Sequence, residues 1–416
     1  MKIDSIEEIV AKYTKAERKS GSNNIASNAS VKVTFLIGNG FDLNCGMKTA
    51  YKNMYDEYVK IGSGDADIRK FKESLRSYDT WADFEWGMLN HMPEFDSADS
   101  FLKCLRDFRD YMVQHLTEQE KQLSSQLEKS FPHNEMDTRM VELIGQSIKQ
   151  FRMDAGILDR DAEFTFVSFN FTTVLDSYLK KYGKVIHVHG TLDNSPALGI
   201  DNTGQFEPNE LTFEITDELK RAFVKSVLNR HCFNRDAETL SAIAECDIIC
   251  AYGLSFGKSD QRWLDCIMKA LHQNSEKSAY FYNKKCIDVM SGHLEVITEA
   301  AERRREELKK RVDQKYHNCV DRIEFPCGHN LFNIGKAIEE SRAYLQNKHE
   351  RIKRRRAIYL LLFSCLECLL LGYIMGKLLI GSYRYKMNDI CAVGVSMLGG
   401  MISLTITKCI KLFSRQ

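Results

Sequence analysis

Apolar side chains change period several times along this chain, and the changes divide it into parts. Residues 6–19 have helical apolar spacing, and the small polar stretch at 20–30 (SGSNNIASNAS) reads as a flexible linker. A short β-branched run at 31–37 (VKVTFLI) ends in Gly-Asn-Gly, the pattern of a buried strand that stops at a tight turn. Helical spacing returns at 49–61. From about 71 to 160 it dominates, most clearly at 101–126 and 138–151, which predicts a helical insertion. Strand patterns recur at 164–169 (FTFVSF), 185–188 (VIHV), 247–252 (DIICAY) and 279–282 (AYFY). Helix-like segments at 172–181, 217–228, 237–245 and 260–271 lie between them. Strand alternating with helix predicts an α/β fold: a Rossmann-like, mostly parallel sheet with helices on both faces. Residues 300–314 are charged and helical, 321–325 offer a last strand, and 334–356 read as a helix leaving the body.

Two longer apolar runs follow. Residues 357–376 (AIYLLLFSCLECLLLGYIMG) hold one charge, Glu367, and 390–407 (ICAVGVSMLGGMISLTIT) hold none. At 1.5 Å per residue each covers about 27–30 Å, the thickness of a hydrocarbon core. A transmembrane hairpin is therefore expected, with a buried helical hairpin as the alternative. Arg351, Lys353, Arg354, Arg355 and Arg356 precede the first run, and Lys408, Lys411 and Arg415 follow the second. Lys377, Arg384 and Lys386 lie in the loop, so the bias toward the flanks is clear. The positive-inside rule puts both flanks and the body in the cytoplasm. Gly399 and Gly400 give the second helix a smooth face for packing. The expected organisation is an N-terminal helix and linker (1–30), a body (31–330), a connecting helix (331–356) and a membrane hairpin (357–416).

Composition adds constraints. With 416 residues, 44% hydrophobic and 28% charged, the chain is globular and long enough for two or three structural units. Its net charge of +1 hides an asymmetry. From Arg351 onward there are 11 Lys/Arg and 2 Asp/Glu, which leaves 47 against 55, or −8, for the rest. An acidic body is poorly suited to a phosphodiester backbone, so no direct nucleic-acid partner is expected. The 13 cysteines are scattered, and residues 1–30 lack the apolar stretch of a secretory signal. They read as reduced thiols. Cys365 and Cys368 form a Cys-x-x-Cys without a second pair, and Cys327-Gly328-His329 has only Cys319 nearby. No metal site is expected.

Candidate chemistry sits where strands end. Gly38-Asn39-Gly40 lies between a strand and a helix, where doubly wound sheets bind phosphate through backbone N–H groups. Leu43 replaces the third glycine of G-x-G-x-x-G and Gly46 comes next, so a plain tight turn is the alternative. Asn170, Thr172 and Thr173 follow the second strand, either as ligand-binding groups or as a helix cap. His187 and His189 end the next strand, and period-two geometry puts both imidazoles on one face. His189 reads as a proton shuttle or ligand-binding group, with a core histidine or a metal pair as alternatives. In residues 253–260 (GLSFGKSD), Ser259 or Asp260 is a plausible N-cap, and Gly253 and Ser255 are placed to contact phosphate or ribose. Gly253 to Gly257 also fits G-x-S-x-G, with Ser255 as nucleophile and His272 or His293 as its base. Four polar loops at strand carboxyl ends point to one active site.

Several segments carry a resemblance: FLIGNGFDLNCGMKTAY (35–51), WADFE (81–85), SFNFTTVL (168–175), HVHG (187–190), LGID (198–201) and YGLSFGKSD (252–260). Together they resemble the AbiH family, named for abortive-infection defence against bacteriophage. Lys48 stands where the family pattern has proline. A more distant likeness is to sirtuins and sirtuin-like NAD hydrolases, whose first loop has the spacing of Gly38, Gly40 and Gly46. That likeness implies that Asn170 and His189 are catalytic at the nicotinamide ribose, and that Gly38, Gly40 and Ser255 contact the nucleotide. The sirtuin zinc module and the arginine after the glycine loop have no counterpart, so a deacylase is not implied.

The expectation is a bacterial inner-membrane effector of antiphage defence that binds a nucleotide and hydrolyses it, with NAD as substrate or ligand and no cofactor required. Asn170 and His189 are its expected catalytic residues. Gly38, Asn39, Gly40, Asp42, Thr173, Asp201, Gly253, Ser255 and Asp260 are expected to bind the nucleotide, with Asp42 and Asp201 stabilising positive charge at the ribose. Membrane lipid along 357–407 and further copies of the chain are the other expected partners. The alternative is a sensor without catalysis that controls a membrane-disrupting hairpin, for which Glu367 in mid-span is the chief feature. A nuclease or other phosphodiesterase is a third option, weakened by the lack of a carboxylate cluster for metal.

Overall fold

A computed structural model describes residues 30–130, 162–282 and 294–326, apart from gaps at 45, 76–82, 174–175, 181, 195, 207–210 and 233–234. Beyond these it describes 350–355, 357–359, 372–373 and 377. The chain forms two compact units, 1–342 and 343–416. Among the described residues no helix is long and apolar enough to cross a membrane. The apolar runs at 357–376 and 390–407 fall almost wholly outside the described residues, as do the expected helices at 6–19 and 138–151.

The first unit is built on six parallel strands: β1 (Val31–Ile37), β2 (Ala162–Ser168), β3 (Gly183–His187), β4 (Ile248–Tyr252), β5 (Ser278–Phe281) and β6 (Ile323–Glu324). Their order is β3-β2-β1-β4-β5-β6, which is the Rossmann order. β1 is central, with Phe35 opposite Phe166 on one side and Cys250 on the other. Six of its seven residues are buried because both faces are covered, as parallel sheets require. Val31, Val33, Phe35 and Ile37 make one face apolar. On the other, Leu36 is joined by the buried Thr34, whose hydroxyl donates to Ala242 O (2.9 Å), and Lys32 is exposed.

One face is covered by α9 (Arg235–Glu245), α10 (Gln261–Gln273), α11 (Leu294–Lys309) and α12 (His317–Asp321). In α10, Trp263, Leu264, Ile267, Met268 and Leu271 form a buried stripe at helical spacing. They pack with Leu36, Val167, Ile249 and Phe281 of the sheet. Burial of each large side chain is worth about 1.5–3 kcal/mol.

Between β1 and β2 the expected insertion is helical as far as residue 130, and its remainder, 131–161, lies outside the described residues. After α1 (Gly40–Asn44) come α2 (Tyr51–Tyr58), α3 (Ala66–Ser74), α4 (Phe84–His91) and the long α5 (Ala98–Ser130). Asp65 starts α3 by accepting the N–H groups of Asp67 and Ile68. The insertion has its own core around Tyr58, Phe84, Phe101 and Phe108. Phe171, Leu192 and Leu198, which follow β2 and β3, belong to that core. The insertion therefore lies over the carboxyl ends of the strands and closes a crevice there.

α6 (Asp176–Leu179) follows β2. The helix expected at 217–228 is broken into α7 (Asp217–Phe223) and α8 (Lys225–Cys232). Val224 is extended, with φ −109° and ψ 108°, and forms a parallel bridge with Ile200. Ile200 N–H donates to Phe223 O (2.9 Å), and Lys225 N–H donates to Ile200 O (2.8 Å). A nonlocal backbone pairing thus overrides continuous helical spacing.

Candidate functional site

The strand order reverses between β1 and β4, and a crevice of about 400 Å³ opens above their carboxyl ends. Its walls include the loops after β1, β2, β3 and β4, so the four polar loops do converge. Gly38, Asn39, Gly40, Asp42, Asn170, His189, Gly253, Ser255 and Asp260 all line it. Thr173 and Asp201 are not among its lining residues. Thr173 N–H donates to Glu120 of α5, and Asp201 accepts the N–H of Arg262 at the start of α10 (3.2 Å). Burial pushes the Asp201 carboxyl up to about 7, against the pull of Arg262.

The glycines have a packing reason of their own. Gly38 N–H donates to Tyr252 O (2.9 Å) and Gly40 N–H to Gly253 O (3.0 Å), so the β1 and β4 loops are stitched together. A Cβ on Gly40 would lie 2.5 Å from Gly253 Cα, and Gly253 itself has φ +68°. Asn39 donates to Thr49 O (3.0 Å) and accepts the Thr49 hydroxyl, which ties the loop to the start of α2.

Asp42 is 2% exposed and clamps the β2 loop. Asn170 Nδ2 donates to its Oδ1 (2.9 Å) and Thr172 Oγ1 to its Oδ2 (2.6 Å), while Asn170 Nδ2 also reaches Gly38 O (3.3 Å). Burial pushes the Asp42 carboxyl up to about 7, despite the Thr172 and Asn170 hydrogen bonds. Asn170 and Thr172 thus serve this carboxyl rather than a helix terminus.

The two histidines take different carboxylates. His187 Nε2 lies 3.0 Å from Asp176 Oδ1, and its Nδ1 lies 3.1 Å from Asn170 O. His189 is 4% exposed, with Nε2 3.1 Å from Asp260 Oδ1 and its ring edge-on to Phe169. A carboxylate only accepts, so Nε2 carries the proton and donates, leaving Nδ1 as a bare lone pair. That Nδ1 is buried without a partner. Burial lowers the His189 pKa, and the nearby Lys225 charge lowers it further.

Sequence reasoning missed the groups behind this pair. Lys225 is 1% exposed, and its ammonium lies 3.1 Å from Asp260 Oδ1 and 3.4 Å from Glu85 Oε1. Burial opposes its charge, but the Asp260, Glu85 and Asp201 carboxylates raise its pKa well above the usual lysine value. Asp260 in turn is held well below the usual carboxylate range: burial would raise it, but Lys225 and His189 prevail. Glu85 also accepts from the hydroxyls of Tyr51 (3.1 Å) and Ser259 (3.3 Å), and burial raises its pKa. Asp83 accepts the N–H groups of Lys258 and Ser259, which pins the β4 loop to the insertion. The WADFE segment was the available signal for Asp83 and Glu85. Lys225 had none, because it reaches the site through the break at Val224.

The elbow reading of Ser255 finds no histidine hydrogen-bonded to that hydroxyl among the described residues. His272 is exposed and meets Tyr316 edge-on at 5.6 Å, and His293 falls outside the described residues. Besides Gly253, the residue of this loop with positive φ is the buried Phe256, at 51°, not the serine. No group of three or more His, Cys, Asp or Glu suited to a metal occurs among the described residues.

No curated protein matches the chain. A family match, described as bacteriophage abortive infection AbiH, runs from residue 34 to 282, more than half of the sequence and through every loop of the crevice. This chain therefore belongs to the AbiH family.

Proposed function

We propose that this AbiH protein is a membrane-anchored effector of abortive infection whose crevice binds NAD and hydrolyses its glycosidic bond. The observation that carries the reading is the gathering of Asn170, Asp42, His189 and Asp260 in one crevice at the switch point of the sheet. In the reaction the C1′–N bond breaks, its electron pair leaves with nicotinamide, and positive charge develops on the ribose. Asp42 lies in the crevice wall and, once ionised above about pH 7, is the anion to meet that charge, with Asn170 holding it in place. Water adds at C1′ and its proton passes to His189 Nδ1, whose ring is oriented by Asp260 at Nε2. The products are ADP-ribose, nicotinamide and a proton. The anchor is the pair of apolar runs at 357–376 and 390–407. Incubating the full chain with NAD should release nicotinamide, and Asn170→Ala and His189→Ala should each slow release by about 100-fold. No release, or unchanged release in both variants, refutes the hydrolase reading.

One observation favours a sensor that binds without chemistry. Both amide hydrogens of Asn170 are committed, to Asp42 and Gly38, which leaves neither to hold water or a ribose hydroxyl. NAD binding without nicotinamide release would select that reading.

A further inference from the structure

The crevice has an unusual balance of hydrogen-bonding groups. Its side-chain donors are turned toward the protein. The amide of Asn170 serves Asp42 and Gly38, and the hydroxyls of Thr172, Tyr51 and Ser259 serve Asp42 and Glu85. The Lys225 ammonium is held by Asp260 and Glu85. The glycine loop, expected to cradle phosphate, has its Gly38, Gly40 and Phe41 N–H groups spent on the carbonyls of Tyr252, Gly253 and Gly38. Three carboxylates, Asp42, Glu85 and Asp260, are among the lining residues, against one buried ammonium, Lys225, and one exposed, Lys52. The buried His189 Nδ1 adds a lone pair with no donor. A buried acceptor left unpaired has lost its water without replacement, so a ligand that donates to it is favoured. Among the lining side chains, the donors not turned inward are Lys52 and Ser255, and both are exposed.

We infer that the floor of the crevice is an acceptor-lined subsite that takes the glycoside end of a ribonucleotide with a neutral or cationic base, leaving its phosphate outside at Lys52 and Ser255. The inference rests on the nucleotide reading above and adds an orientation and a charge rule to it. Ribose hydroxyls and a carboxamide donate to such a floor, and a pyridinium ring is attracted by its carboxylates. A phosphate or carboxylate brings further acceptors and negative charge, and among the lining side chains only the exposed Lys52 and Ser255 are left to donate to it. The aromatic and apolar side chains of Phe169, Phe171, Met112 and Leu116 supply the contact area for a ring.

The test is calorimetric titration of the detergent-solubilised full chain at pH 8. Its ligands are nicotinamide riboside, nicotinic acid riboside and the 5′-phosphate of the first. Nicotinamide riboside should bind at least about tenfold tighter than nicotinic acid riboside, because the latter carries a carboxylate onto the floor. Glu85→Gln should narrow that gap. Lys52→Glu should weaken the phosphorylated ligand by about tenfold and leave the riboside unchanged. Equal affinity for the two ribosides, no binding of either, or equal weakening of riboside and phosphate by Lys52→Glu would overturn the inference. Preference for nicotinamide riboside without nicotinamide release from NAD upholds it while removing the hydrolase reading. Release without the preference does the opposite.

Discussion

Replacing Asp42 with asparagine should stabilise the fold, and the gain should grow with pH. Asp42 is 2% exposed, and its direct partners are the neutral Asn170 amide and Thr172 hydroxyl. Burial drives its carboxyl from 3.8 to about 7, with the hydrogen bonds from Thr172 and Asn170 pulling against it and Glu120 adding to the rise. A carboxyl raised in the folded state contributes stability in its protonated form. That contribution is complete below the unfolded value of 3.8 and is lost as pH climbs through about 7. About 3 pH units at 1.36 kcal/mol each give a loss on the order of 4 kcal/mol by pH 8. Asparagine has the same shape, still accepts from Asn170, can donate to the Thr172 oxygen and never charges. The variant should therefore match the wild type near pH 4 and exceed it by up to about 4 kcal/mol at pH 8. At roughly 2–4 °C per kcal/mol, Tm should rise by about 8–16 °C. The assay is scanning fluorimetry of the full chain in detergent from pH 4 to 8. A difference that is flat across this range, or that shrinks toward pH 8, would refute burial as the cause of the raised carboxyl. The same substitution should abolish nicotinamide release, a trade of activity for stability common at buried charges in active sites.

Two further outcomes test the charge network and the anchor. Lys225→Met leaves Glu85 and Asp260 buried without their ammonium and should cost about 3–5 kcal/mol. The loss should be largest at pH 8 and partly recovered by adding Glu85→Gln, and a double variant no more stable than the single one would refute the coupling. The full chain should remain in the membrane pellet after a carbonate wash, and a periplasmic reporter fused after Gln416 should be inactive. Release into the soluble fraction, or an active reporter, would refute the anchor.

Much of the scaffold is local in origin, and local signals in the sequence determined it. The run at 31–37 could be read as β1 to the residue, because a β-branched apolar stretch bounded by Gly-Asn-Gly has few other solutions. The alternation that follows specified the parallel sheet, and the helical pattern at 260–271 marked α10. The position of the crevice was legible as well, since polar groups closing several parallel strands must meet at one edge of the sheet. Partnerships across that edge were decided only by tertiary structure. Gly40 looked like a phosphate-binding glycine, but what makes a side chain impossible there is the backbone of Gly253, more than 200 residues away. His187 and His189 have the same local spacing, yet one pairs with Asp176 and the other with Asp260. Lys225 lies in the segment 217–228 that reads as one helix, but the bridge between Ile200 and Val224 breaks that helix and delivers the ammonium to Asp260 and Glu85. Periodicity encodes which face of an element is buried, whereas the charge partner of a buried side chain depends on contacts between segments distant in sequence, which no local pattern contains.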